Sequence, residues 1–153
     1  MKFNIIRTCS LLVFLTFLCS VSVLAQNGST DQDAYTRNAE DGDLKWNPCP
    51  DFMPESCRIA VIQGNPAEPN ADVFFKMKGN TSVPNHWHHS AERMVLISGE
   101  MQVQYESQEP VVLMEGDYAY GPPQKPHTAS CLSDNPCVLF IAFEKPIDAF
   151  STR

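Results

Sequence analysis

Three of the four histidines of this 153-residue chain fall in one window, 79–99, which reads G-N-T-S-V-P-N-H-W-H-H-S-A-E-R-M-V-L-I-S-G. His86, His88 and Glu92 follow the order H-x-H-x-x-x-E, and the fourth histidine, His127, arrives after the run G-D-Y-A-Y-G-P-P-Q-K-P. Imidazole nitrogen and carboxylate oxygen are the donors that borderline divalent transition metals prefer. These four side chains are therefore the candidate ligands of one such ion, and Fe, Mn, Ni, Cu and Zn all suit the set. Taken singly, each histidine reads as an ordinary surface or hydrogen-bonded group. Together with the glutamate and the later histidine they read as a metal site, while no catalytic side chain beyond them announces itself.

The elements that must position these groups are strands. Alternate side chains of a strand share a face, so His86 and His88 face one interior, Trp87 faces away, and His89 is left as an outlying or surface group. A turn at 89–91 breaks the register, and Glu92 opens the next strand, 93–98, folded back beside the histidines. Gly99 ends that strand at a turn, and 100–106 returns with Met101, Val103 and Tyr105 on one face. His127 must come from elsewhere in the fold.

The window resembles the first motif of the cupin superfamily, G-x5-H-x-H-x3,4-E-x6-G, and 116–127 resembles the second, G-x5-P-x-G-x2-H-x3-N. His86, His88 and Glu92 stand at the ligand positions of the first motif and His127 at that of the second, with Gly99, Gly116 and Pro122 at framework positions. There are departures: six residues separate Gly79 from His86, Gln124 stands where the second motif has glycine, and Cys131 stands where it has asparagine. The resemblance covers roughly 59–143. It implies an all-β double-stranded β-helix, or jelly-roll barrel, with a single metal ion, and a homodimer as in many cupins. It does not choose an activity, since cupins include dioxygenases, isomerases, decarboxylases, sugar-binding modules and storage proteins.

The rest of the chain agrees with one exported domain. Lys2 and Arg7, an apolar run over 11–18 and Val23-Leu24-Ala25 read as a secretory signal at 1–25. The apolar run is short for a membrane span, and a lipid anchor at Cys19 is disfavoured by bulky Phe17 and Leu18. Removal of the signal moves the formal charge from −7 to −9, which argues against nucleic acid and against anionic membrane surfaces as partners. It also leaves Cys49, Cys57, Cys131 and Cys137, an even number suited to disulfides. Of three pairings, the local one (Cys49 with Cys57, Cys131 with Cys137) is preferred because each pair brackets a short Pro-containing loop; thiolate metal ligation is the alternative, though the spacings are unlike a zinc ribbon. Polar residues 26–43 read as a flexible leader. Residues 44–57, with Trp46 and three prolines, read as an ordered arm packing Trp46 on the barrel. Short strands are expected at 59–63, 72–78, 111–114, 118–121, 127–131 and 137–144, the last two as a hairpin, with Pro146 closing the domain. Asn27-Gly28-Ser29 and Asn80-Thr81-Ser82 are formal glycosylation triplets.

Three imidazoles and a carboxylate leave about two open positions on a roughly octahedral ion. Phe75, Met77, Met94, Met101, Val103, Tyr120 and Phe140 are the candidate lining of the pocket, although plain core is the preferred reading of each. Tyr118 or Tyr120 is a candidate to donate a proton or orient a ligand. No nucleophile elbow, P-loop or dinucleotide fingerprint is present. The leading expectation is a secreted or periplasmic metal-binding cupin, a mononuclear dioxygenase- or isomerase-like enzyme on a small oxygen-rich molecule. The alternative is a non-catalytic module that binds a small ligand or serves a structural role.

Overall fold

The computed structural model describes residues 33–152. The expected signal at 1–25, the start of the leader and the triplet at Asn27 lie outside the described residues. Residues Tyr35–Arg153 form one compact unit. It contains eleven strands and, among the described residues, no helix: β1 (Asn47–Pro48), β2 (Arg58–Gln63), β3 (Ala71–Met77), β4 (Thr81–Trp87), β5 (Glu92–Ser98), β6 (Met101–Tyr105), β7 (Val111–Leu113), β8 (Tyr118–Gly121), β9 (His127–Cys131), β10 (Cys137–Phe143) and β11 (Phe150–Ser151). One sheet has the order β1-β2-β3-β10-β5-β8 and the other β11-β4-β9-β6-β7, with antiparallel pairing throughout. This is the expected jelly roll, two sheets closed around a shared interior.

The hairpins expected from sequence order are mostly absent. β5 does not fold back beside the histidines. It pairs with β10 and β8, while β4 lies in the other sheet between β11 and β9. Likewise β6 does not return along β5, and β9 and β10 form no hairpin, because each of these turns carries the chain from one sheet to the other. A turn flanked by two strands looks the same in sequence whether it stays in a sheet or crosses between sheets. The closed barrel chooses crossing because both faces of the interior must be covered.

The period-2 pattern fills that interior. Val73 and Met77 of β3, Met94 and Leu96 of β5, Met101 and Val103 of β6, and Leu139 and Ile141 of β10 form one buried cluster. Leu96 and Met101 are fully buried, each worth about 1.5–3 kcal/mol of apolar burial. A second, smaller cluster lies on the outer face of the six-stranded sheet. There Phe74, Val138 and Phe140 pack against Ala39, Leu44 and Trp46, and Lys76 Nζ sits 4.6 Å from the Trp46 ring centroid. The arm thus carries Trp46 onto the barrel as expected. Part of the segment expected to be a flexible leader is packed as well: Ala39 is buried, the Tyr35 hydroxyl donates to Ile62 C=O at 2.9 Å, and Arg37 pairs with Asp43 at 2.9 Å. Polar composition concealed this, since one small alanine suffices to seat the segment.

The sulfurs of Cys49 and Cys57 and of Cys131 and Cys137 are bonded in the preferred local pairing. The second disulfide joins the end of β9 to the start of β10, at the opposite ends of these strands from His127 and Phe143. Gly99 takes φ 87° at the turn between β5 and β6, a region that suits a residue without Cβ. Gln124, where the second motif has glycine, takes φ 60° and donates its N–H to His88 C=O at 2.7 Å. The turn before His127 therefore keeps the glycine-like conformation without the glycine.

Candidate metal centre

A bulge decides where the first two histidines point. Val83 pairs with Ala129 but His86 pairs with His127, so three residues of β4 span two of β9. Pro84 has no N–H for the ladder, and the extra residue falls beside it. Val83 and His86 are both buried although their numbers differ in parity. Without the bulge, Asn85 and Trp87 would face the interior. His88 follows in phase just past the strand, and Trp87 turns outward to stack on Phe150 at 4.6 Å.

All three site histidines are buried, and one ring nitrogen of each lies within 4.8 Å of the other two. Their Nδ1–H groups are all given to backbone carbonyls. His86 donates to Pro84 C=O at 2.8 Å, His127 to Lys125 C=O at 3.1 Å, and His88 to Asp148 C=O. A carbonyl only accepts, so these bonds assign the tautomer and leave each Nε2 with its lone pair free, as a ligating imidazole requires. The Nε2 of His88 is buried and has no hydrogen-bond partner. Glu92 reaches the same point from β5 in the opposite sheet. Its Oε1 lies 3.4 Å from His88 Nε2 and its Oε2 3.6 Å from His127 Nε2. Burial, reinforced by the neighbouring His88, lowers the His86 pKa to about 4. Burial and then His86 lower that of His127 to about 3. Burial raises that of Glu92. Two neutral, unprotonated imidazoles and an orphaned third nitrogen beside a buried carboxylate fit a divalent ion.

The site opens on a cavity of about 180 Å³. Of the expected lining, Phe75, Met94, Met101 and Val103 are present; Met77, Tyr120 and Phe140 are not. Phe140 faces the Trp46 side of its sheet. Tyr118 and Tyr120 are 60% and 50% exposed, because on β8 it is Ala119 and Gly121 that face inward. Neither tyrosine can touch a ligand in the cavity. Met53 and Pro50, in the loop closed by Cys49–Cys57, form part of the wall, as do Ile147 and Asp148.

Sequence reasoning missed three participants. Tyr105 is 8% exposed, its hydroxyl has no partner, and its ring centroid is 4.8 Å from that of His127. A Cβ added at Gly121 would stand 2.3 Å from the Tyr105 hydroxyl and 3.2 Å from Glu92 Oε2, so the missing side chain is the space these two groups occupy. Asp148 lies beyond Pro146, where the domain was expected to close. β11 pairs with β4, bringing the Asp148 carbonyl to His88 and its carboxylate to His89 (N–H at 2.9 Å, Nδ1 at 2.6 Å). Only the inward parity of Tyr105 with Met101 and Val103 was a signal available beforehand.

Residues 73–143 match the family model of the cupin domain. No curated protein sequence matches the chain. Among solved structures, the DMSP lyase DddQ of Ruegeria pomeroyi DSS-3 is similar at 17% identity and a TM-score of 0.63, covering 71% of this chain and 61% of that one. The oxalate decarboxylase of Lactobacillus farciminis, in complex with formate, is similar at 20% identity and 0.59, covering 71% of this chain and 33% of that one. An oxalate decarboxylase of Bacillus subtilis described with Mn(II) centres is similar at 17% and 0.56, covering 65% and 29%. The chain thus spans between 29% and 61% of these neighbours, and at such identities the likeness is one of fold. Fold, motifs and family model agree that residues 73–143 form a cupin domain.

Proposed function

We propose that this is an exported, metal-dependent enzyme in which His86, His88, His127 and Glu92 hold one divalent transition-metal ion and a small oxygen-bearing molecule binds at the open positions. The observation that carries this reading is the convergence of three imidazoles, each with Nδ1 tied to a backbone carbonyl, on one carboxylate at the wall of a cavity. The bound ion would supply Lewis acidity toward that oxygen. The chain's residues keep the imidazoles neutral, fix their orientation, and surround the reacting group with apolar side chains that exclude water. The two disulfides and the positively charged, apolar start of the sequence support export.

Elemental analysis of the purified protein beside a His86→Ala/His127→Ala double variant tests the centre. Near-stoichiometric metal in the parent and its loss in the variant is the expected result; no metal after reconstitution at neutral pH overturns the reading. The metal then directs the assay. Iron, copper or nickel leads to oxygen uptake, while zinc or manganese leads to isomerase and to lyase or decarboxylase screens, the latter suggested by the lyase and decarboxylase neighbours. Ligand binding without turnover in every screen would leave a binding module in place of an enzyme.

A further inference from the structure

The cavity wall has two unlike parts. At one pole lie His86, His88, His127, Glu92 and Tyr105. The rest is almost wholly apolar, with Phe75, Val83, Met94, Leu139, Ile141 and Phe143 among it, and no lysine or arginine lines the cavity. Tyr105 is the telling member of the polar pole. Its hydroxyl is buried without a partner, and a buried hydroxyl left unpaired costs free energy. β6 holds it there by pairing with β9, which sets Tyr105 opposite His127, and Gly121 clears the space for it beside Glu92.

Charge narrows the ligand further. A divalent ion among neutral imidazoles and one carboxylate keeps a single positive charge. One anionic or strongly polar head balances it. A second anionic group, away from that pole, would meet hydrocarbon and aromatic walls and Asp148 but no lysine or arginine, and a buried charge without a partner is strongly disfavoured. We infer that the cavity takes small molecules with one oxygen-bearing head and an apolar body, that Tyr105 donates a hydrogen bond to that head, and that dianions are rejected. This rests on the proposed metal centre and narrows its ligand from oxygen-rich molecules in general to those with a single polar head. Tyr105 is here a ligand-contacting residue; Gly121 is a positioning residue that acts through it.

The test uses cobalt(II)-loaded full-length protein, titrated with acetate, propionate, butyrate and succinate and followed by the visible absorption of the cobalt and by calorimetry. Affinity is expected to rise about fourfold per added methylene from acetate to butyrate. Succinate, which replaces the butyrate methyl by a carboxylate, is expected to bind at least about a hundredfold more weakly than butyrate. Tyr105→Phe keeps the ring and its packing; it should hold the same amount of cobalt and the same preference for butyrate over succinate, with affinity for every monoanion down about tenfold or more. Gly121→Ala, which displaces the hydroxyl, should mimic that loss. Succinate binding within a few-fold of butyrate, or no binding of any of these acids to the cobalt form, overturns the inference while the metal centre stands. Unchanged monoanion affinity in Tyr105→Phe overturns the role of Tyr105. Failure to take up cobalt at all overturns the metal centre and this inference with it.

Discussion

The Nδ1–H of His86 is anchored on Pro84 C=O and that of His127 on Lys125 C=O, each two residues back along the chain. Each ring is thereby oriented by its own local backbone, while burial resists protonation. With pKa values lowered from 6.5 to about 4 and about 3, both rings are neutral in the folded protein at pH values where the unfolded chain has taken up protons. Above pH 6.5 neither state is protonated and these groups contribute nothing to pH dependence. Below it the unfolded chain binds more protons, so metal-free protein loses stability as pH falls from 6.5 through about 4. The raised pKa of the buried Glu92 acts in the opposite sense above the ordinary carboxylate range, which holds the slope below two protons. The urea midpoint of metal-free protein should therefore fall steadily over this range; a flat profile would contradict the buried, neutral imidazoles. By the same reasoning bound metal should be retained at pH 5.5, where ordinary histidines are largely protonated, and be released only as the pH nears 4. Dialysis against buffers of stepped pH, followed by elemental analysis, reads this directly. Gln124 offers a smaller test. A non-glycine residue at φ 60° costs about 1 kcal/mol, so Gln124→Gly should raise stability by up to that amount without changing metal content.

At the scale of elements, the bulge at Pro84 and the two disulfides matter most. The bulge returns His86 and His88 to the interior, which strict alternation from Val83 would have denied them. Strand alternation puts both histidines on one face, yet that face is the inner one only because of the irregularity. The disulfides close loops of similar length at different places, Cys131–Cys137 at the far ends of β9 and β10 and Cys49–Cys57 beside the cavity. Each should contribute about 2–3 kcal/mol by chain-entropy arguments for such loops. Replacing either pair by serines should lower the melting midpoint comparably. Only Cys49→Ser/Cys57→Ser should also weaken ligand retention, because Pro50 and Met53 belong to the wall. Equal effects of the two pairs on ligand off-rate would show that the Cys49–Cys57 loop does not cap the cavity.

For the whole molecule, the two disulfides are compatible with an oxidising compartment. Export predicts a mature protein that begins at Gln26. Intact mass of the protein recovered from the periplasm or medium should correspond to residues 26–153 with four cysteines oxidised, and a retained N-terminus in that fraction would refute the signal reading.

The amino-acid sequence by itself determined the main strands, the residue types of the candidate site and its local halves. Strand periodicity and the H-x-H spacing are covalent properties of a short stretch, and they survive any folding of the rest. The tertiary structure alone decided which groups meet. Glu92 reaches the histidines across the barrel, because β5 and β4 belong to different sheets. Tyr105 meets His127 through the pairing of β6 with β9, Gly121 makes room for it from β8, and Asp148 orients His88 from the far end of the chain. Tyr118 and Tyr120 lie within the second motif as Gly121 does, yet point outward. Such contacts join residues distant in sequence and depend on which strands become neighbours. Closure of the barrel settles that choice by requiring both sheets to bury their apolar faces at once.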